Sequence, residues 1–382
     1  MDAFFALVET HPQIPHYIRT LDITSNFIMN TDLFFRLANI LPKLDFMRLD
    51  ASALMPLSNQ HWWPPIPLWE NLGAEGKETL RQLLQSARSL TIIGGTVPFA
   101  VYGYSPNLTT LDLRRSGEEV DHFLEAILDL HDHTNRSDYA PIRRLRLGGD
   151  TMQALVEHHP GFFAHVEDVE LNVHSDQAEK AEYMFAALSK SIKSALIHLH
   201  SQPDEEDGIP RQLLDLSGFT GQNLSLGINT SPLHNPNSTD FYRMTLSTLP
   251  LSTLINLSLD VFVGATCPDI SDARAAIADL LEYLDDAFRL HQVEQPAPAH
   301  GGPTIALQRL AIKFRGVCNT DSEPRGCAFW DDHMDLEDLL GAGEGGEAPA
   351  PAIAQAMQSA SVEVTISTYP HGERTLRLSG PL

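Results

Sequence analysis

One spacing recurs along the chain: an apolar residue, two variable ones, an apolar residue, one variable, and a third apolar residue. It is clear in Leu44-x-x-Met47-x-Leu49, Ala87-x-x-Leu90-x-Ile92, Leu108-x-x-Leu111-x-Leu113 and Ile142-x-x-Leu145-x-Leu147. Ile18-x-x-Leu21-x-Ile23, Val166-x-x-Val169-x-Leu171, Ile192-x-x-Ala195-x-Ile197-x-Leu199, Leu254-x-x-Leu257-x-Leu259 and Leu307-x-x-Leu310-x-Ile312 carry it as well. Gly221-x-x-Leu224-x-Leu226 and Val362-x-Val364-x-Ile366 are degenerate copies. Each ends in a period-two alternation, which predicts a strand with one buried face.

Between these segments the apolar period changes to that of a helix. Asp32 to Leu41 places Leu33, Leu37, Ile40 and Leu41 on one side, and Lys77 to Leu90 does so with Leu80, Leu83, Leu84 and Ala87. Glu118 to Leu130, Asp176 to Ile192 and Ser271 to Leu290 behave alike, the last with Ser271 and Asp272 as an N-cap.

Strands alternating with helices predict an α/β fold with a parallel sheet and right-handed crossovers. A doubly wound sheet and a solenoid both satisfy that order. A doubly wound sheet buries both faces of its strands. Here the alternate positions are polar: Thr110, Asp112 and Arg114; Arg144 and Arg146; Asp168, Glu170 and Asn172. The expectation is therefore one irregular solenoid over residues 1–382, a horseshoe with a wet, curved parallel sheet on its concave side and helices on its convex side. Leu21, Leu111, Leu145, Val169 and Leu257 should form one buried column.

These L-x-x-L-x-L strands resemble leucine-rich repeats. Successive fourth positions lie 26 residues apart from Leu21 to Met47, 21 from Leu90 to Leu111, 34 from Leu111 to Leu145 and 53 from Leu257 to Leu310. That scatter, and the missing Asn after most third apolar positions, depart from strict repeats. The opening Phe4-Phe5-Ala6-Leu7-Val8, His11-Pro12-x-Ile14 and Tyr17-Ile18-Arg19-x-Leu21, then Leu41-Pro42-x-Leu44, look like the divergent repeat regions of fungal F-box-like proteins. The F-box itself, a short helical Leu-Pro-rich module, is not found in this sequence. The resemblance implies a non-catalytic protein–protein interaction module, with substrate recognition for a ubiquitin-ligase adaptor as its role.

Composition narrows the partners. Fifty acidic residues against 26 basic ones give a formal charge of −24. Nucleic acid binding needs cations to neutralise phosphates, so nucleic acid and anionic membrane surfaces are set aside. Three cysteines, Cys267, Cys318 and Cys327, make no C-x-x-C pair, and Met1 to Glu9 lacks the basic start of a signal peptide. An intracellular protein, cytoplasmic or nuclear and monomeric by itself, is expected. Hydrophobic content of 43% is ample for a core.

Three segments read as flexible loops: 201–210 (SQPDEEDGIP), 292–303 (QVEQPAPAHGGP) and 341–351 (GAGEGGEAPAP). The acidic run from Asp331 to Asp338 reads as a solvated face. Trp62-Trp63-Pro64-Pro65-Ile66-Pro67-Leu68-Trp69 reads as a long loop folding its tryptophans onto the body, with an exposed hot spot as the alternative.

Catalytic patterns fail one by one. There is no H-E-x-x-H and no G-x-S-x-G. Gly73-Ala74-Glu75-Gly76-Lys77-Glu78-Thr79 is too short for a phosphate loop and reads as a helix start. His131-x-His133 and His158-His159 have metal-like spacings, and the first reads as a solvated polar turn. His198 and His200 share one strand face, but no third ligand for a metal is identifiable. No catalytic residue, cofactor or metal is expected. The alternative to a binding module is a doubly wound enzyme of unknown reaction, with its pocket at the strand C-termini.

What remains is the wet face. Its third positions run Thr110, Arg144 and Asp168; its fifth run Asp112, Arg146, Glu170 and His198; its seventh run Arg114, Gly148, Asn172 and His200. Neighbouring signs alternate, which predicts cross-strand pairing. The same residues, Arg114, Arg144, Arg146, Asp168, Glu170, His198 and His200, are the candidate partner-binding set. The arginines would form a local basic relief for an acidic or phosphorylated protein segment.

Overall fold

The computed structural model describes residues 2–24, 31–41, 44–50, 72–93, 97, 99–114, 139–148, 155–156, 159–175, 178–188, 191–200, 213–229, 236–263, 279–290, 306–317, 361–369 and 372–378. The chain divides into two compact units, Met1–Val169 and Glu170–Leu382. The three expected loops, the tryptophan segment, the acidic run, the cysteines, His131, His133, His158 and the helix expected over 118–130 lie outside the described residues.

The first unit opens with helix α1 (Asp2–Thr10). Strands β1 (Thr20–Thr24), β2 (Phe46–Asp50), β3 (Ser89–Ile93), β4 (Thr110–Arg114) and β5 (Arg144–Gly148) follow, with β6 (Asp168–His174) beginning at its end. Helices α2 (Thr31–Ile40), α3 (Ala74–Ser86) and α4 (Phe99–Tyr102) stand between strands. β1 to β5 are parallel, and each pairs with the next in chain order.

The register joins the fourth positions of the recurring segments. Leu21, Met47, Leu90, Leu111 and Leu145 are successive partners, and so are Ile23, Leu49, Ile92, Leu113 and Leu147. All but Leu21 are buried. Leu21 is only half-buried, because β1 has a strand neighbour on one side alone. A fork of hydrogen bonds repeats below these columns. The Arg19 carbonyl accepts the N–H groups of Asp45 and Phe46, the Arg88 carbonyl those of Thr109 and Thr110, and the Thr109 carbonyl those of Arg143 and Arg144. One carbonyl offers two lone pairs. The fork uses both, and so fixes the stagger between neighbours.

Helix α3 ends earlier than its apolar period suggests. Ala87 is already extended, at φ −75° and ψ 141°, and Leu90 belongs to β3. Leu90 satisfies both periodicities, and the column between Met47 and Leu111 decides for the strand. An aromatic cluster fills the same unit. The Phe99 ring meets Tyr102, Tyr104, Tyr139, His159 and Phe162, and stacks on His159 at 4.3 Å. Gly103 permits this, since a Cβ there would lie 2.4 Å from the Phe99 ring. The buried Tyr102 hydroxyl has no hydrogen-bond partner, and burial raises its pKa.

The second unit contains β7 (Ser194–His200), β8 (Asn223–Asn229), β9 (Asn256–Val263), β10 (Arg309–Val317), β11 (Ser361–Tyr369) and β12 (Gly372–Leu378). Helices α5 (Ala178–Leu188) and α6 (Pro236–Ser247) and helical residues 279–290 lie between strands. β7 to β11 run parallel in chain order. Ala195, Leu224, Leu257, Leu310 and Val362 are register partners, followed by Ile197, Leu226, Leu259, Ile312 and Val364. The strands here are longer, and a third column runs Leu199, Ile228, Val261, Phe314 and Ile366. The fork recurs: the Lys193 carbonyl accepts Gln222 and Asn223, the Gln222 carbonyl Ile255 and Asn256, and the Ile255 carbonyl Gln308 and Arg309.

Besides the helices α1 and α4, two features were not read from the sequence. Helix α6 starts on Pro236, whose fixed φ and missing N–H suit a first helical position. Its Thr245 and Thr248 hydroxyls accept the N–H groups of Leu214 and Leu216, tying an extended segment to the helix. The second feature is β12, which pairs antiparallel with β11. Only Pro370 and His371 join them, and a parallel crossover needs about a dozen residues.

The register makes a direct prediction. Leu145 is 1% exposed, while the Arg144 side chain is 73% exposed. Leu145→Ala should cost about 2–5 kcal/mol in urea unfolding, and Arg144→Ala within about 0.5 kcal/mol. A reversed ranking would mean the strand is offset by one residue.

Candidate functional site

Because side chains alternate between the two faces of a strand, those between the column positions share the opposite face. In the first unit one row runs Thr20, Phe46, Ser89, Thr110 and Arg144, and the next Asp22, Arg48, Thr91, Asp112 and Arg146. The burial of β2 and β5 alternates residue by residue, whereas Thr91 of β3 and Asp112 of β4 are covered on this face as well.

Its charges are paired. Arg144 Nε lies 3.4 Å from an Asp168 carboxylate oxygen, and Arg146 Nη1 3.5 Å from Asp112 Oδ2. Asp112 is nearly covered, at 4% exposed, although its position on the polar face predicts a wet side chain. It stands between Thr91 and Arg146, with the arginine beside its carboxylate. Arg48 donates to Asp50 at 2.7 Å and lies 3.9 Å from Asp22. The hydrogen bond to Asp50, with Asp22 and Asp112 adding their charge, raises the Arg48 pKa above its ordinary value. The expected basic relief is thus a balanced ladder, with acids beside Arg48, Arg144 and Arg146. Arg114 lies on β4, but its side chain is outside the described residues.

The second unit repeats the arrangement with other chemistry. His198 Nε2 on β7 lies 3.7 Å from Glu170 Oε1 on β6. His200 stacks on His174 with centroids 5.0 Å apart. Burial, then the neighbouring His174 and His198, push the His200 pKa down to about 4. Further along, Arg315 pairs with Asp260, and Arg309 with Glu363 at 3.1 Å. Asn256 donates to Asn223 Oδ1 at 2.6 Å on the same face.

Of the sequence-derived set, the structure brings Arg144 to Asp168 and His198 to Glu170, and gives Arg146 to Asp112; His198 and His200, expected at the fifth and seventh positions, stand one step further along β7, with Leu196 at the fifth position and His198 opposite Gly227. Arg48, with Asp22 and Asp50, was missed, although Met47-x-Leu49 already places Arg48 on the polar face. His174 was missed because the apolar motif stops at Leu171 while β6 continues to His174. Among the described residues no three His, Cys, Asp or Glu side chains are placed to hold one metal ion. The phosphate-loop look-alike is the start of α3, with Gly73 as its cap and the Lys77 N–H donating to the Gly73 carbonyl. Among the described residues no helix is long and apolar enough to cross a membrane.

The arginine–aspartate pairs should be energetically modest. A double-mutant cycle on Asp168→Asn and Arg144→Ala, both side chains exposed, should give a coupling of about 1 kcal/mol or less, reduced by added salt. A coupling above about 2 kcal/mol would mark this pair as a structural tie rather than a presented charge.

Comparison with protein-family models finds none that matches this chain, and comparison with curated proteins finds none that matches either.

Proposed function

We propose that this protein is a non-catalytic, leucine-rich-repeat-like interaction module whose polar sheet face docks a protein partner. One observation carries the reading: along β2 and β5 of this parallel sheet the polar face stays partly exposed and lined with ordered charges, although Thr91 of β3 and Asp112 of β4 between them are covered. Parallel strands are ordinarily covered on both faces. Here β2 and β5 bury only alternate residues.

The strand order supports the solenoid form. Each strand is added beside the last with no reversal within either unit. Right-handed crossovers added always in one direction put every connection on one side. A doubly wound enzyme instead needs a reversal point, and its ligand binds there. The open face is then the surface left for recognition.

The charge pairs suit exchange with a partner. Exposed ion pairs contribute roughly 0–1 kcal/mol, so a partner carboxylate or phosphate displaces Asp168 from Arg144 at small cost. An arginine already ordered by a neighbour loses less side-chain freedom on binding. An acidic or phosphorylated segment is the occupant this chemistry favours, by bidentate contact. Recognition of substrates for a ubiquitin-ligase adaptor is the role the repeat resemblance suggests.

Proximity labelling in cells, with wild type and an Arg144→Ala/Arg146→Ala variant compared, tests this. The variant should lose the specific partners while its thermal midpoint moves by only a few degrees, since both side chains face solvent. An unchanged partner set would remove this face as the docking surface.

A further inference from the structure

The histidines of the second unit have chemistry that partner docking does not use. His174 on β6 and His200 on β7 stack face to face, with ring centroids 5.0 Å apart and planes 25° from parallel. The His174 Nδ1 is buried and has no hydrogen-bond partner among the described residues. His198 stands next to them, its Nδ1 above Gly227 of β8, where a Cβ would come within 2.6 Å. A side chain at position 227 would dislodge His198 toward the stack.

The charges around this cluster are unbalanced in a specific way. From β6 come Glu170 and His174, and from β7 His198 and His200. β8 presents the uncharged Gly227 and Asn229. On β9, Asp260 is engaged by Arg315 of β10. The carboxylate within reach is therefore Glu170, and it faces His198. A proton that arrives on the His174–His200 stack finds no described carboxylate of its own. A second proton would set two cations about 5 Å apart.

We propose that the stacked His174–His200 pair is an acid-labile latch between β6 and β7. Neutral rings hold the C-terminal ends of the two strands together, and as the pH falls below that of an ordinary histidine, proton uptake by the opened form makes release of those ends more frequent.

The thermodynamic sign agrees. The folded state holds the His200 pKa at about 4, against 6.5 for an unperturbed histidine. Between these values the opened chain binds a proton that the closed one does not. The stabilisation is complete above about pH 6.5 and is lost as pH falls through that window. The latch does not depend on the partner-docking reading, since it concerns β6 and β7 alone.

Two measurements test it. The first is NMR titration of the histidine ring signals in the wild-type protein. His200 should stay neutral at pH 5, and titration at or above pH 6.5 would overturn the proposal. The second is amide hydrogen exchange at pH 7 and pH 5, corrected for the intrinsic rate. In the wild type, protection at 172–174 and 198–200 should fall about tenfold at the lower pH. His200→Phe keeps a stacking ring without the titration and should abolish that fall, and His200→Tyr, also uncharged between pH 5 and pH 7, serves if His200→Phe does not fold. Equal pH dependence in wild type and variant, or a loss spread evenly over β7 to β10, would overturn the latch.

Discussion

Lateral alignment of aliphatic side chains is the constraint on which the rest depends. Met47, Leu90, Leu111 and Leu145 stand side by side across four strands, and Leu224, Leu257 and Leu310 do so in the second unit. Burying one such side chain stabilises by roughly 1.5–3 kcal/mol. A one-residue slip of any strand would expose its leucines and bury its charges. The forked hydrogen bonds from Arg19, Arg88, Thr109, Lys193, Gln222 and Ile255 hold each neighbour at the stagger that the columns require. Irregular connections are tolerated, because only the strand positions have to coincide.

The polar face follows from the same alignment. Side chains that do not enter the columns are displayed in rows at strand spacing, so acids and bases meet across strands without further design. In the first unit the rows yield Arg48, Arg144 and Arg146 against Asp22, Asp50, Asp112 and Asp168. Asp112 shows that such a row is more than a surface: the acid is nearly covered, with Arg146 beside its carboxylate. In the second unit the same geometry places imidazoles together, where proximity becomes proton sensitivity. One backbone arrangement thus carries two chemistries, set by which residues occupy the free positions.

The ends of the elements are governed by different physics. β12 turns back because its two-residue link allows nothing else. Helix α3 stops at Ser86 because the next residues are needed as a strand. In the first unit, where strands are short, an aromatic cluster around Phe99 fills space, and Gly103 and Gly161 admit the rings at close range.

The sequence by itself determined strands β1 to β11 and, along most of them, which positions face the apolar columns. The fourth positions read from the apolar spacing are register partners in both units. It determined these because a period-two alternation is a local property, written in consecutive residues. It also placed Arg144, Arg146, His198 and His200 on the polar face. Only the tertiary structure decided how far β6 extends, and hence that His174 meets His200. It alone decided that Asp112 is covered, that Arg48 joins the ladder, and that Leu90 serves a strand rather than a helix. Those outcomes depend on residues brought close from distant parts of the chain. Their energies are set by distance, burial and neighbours, which no local pattern encodes.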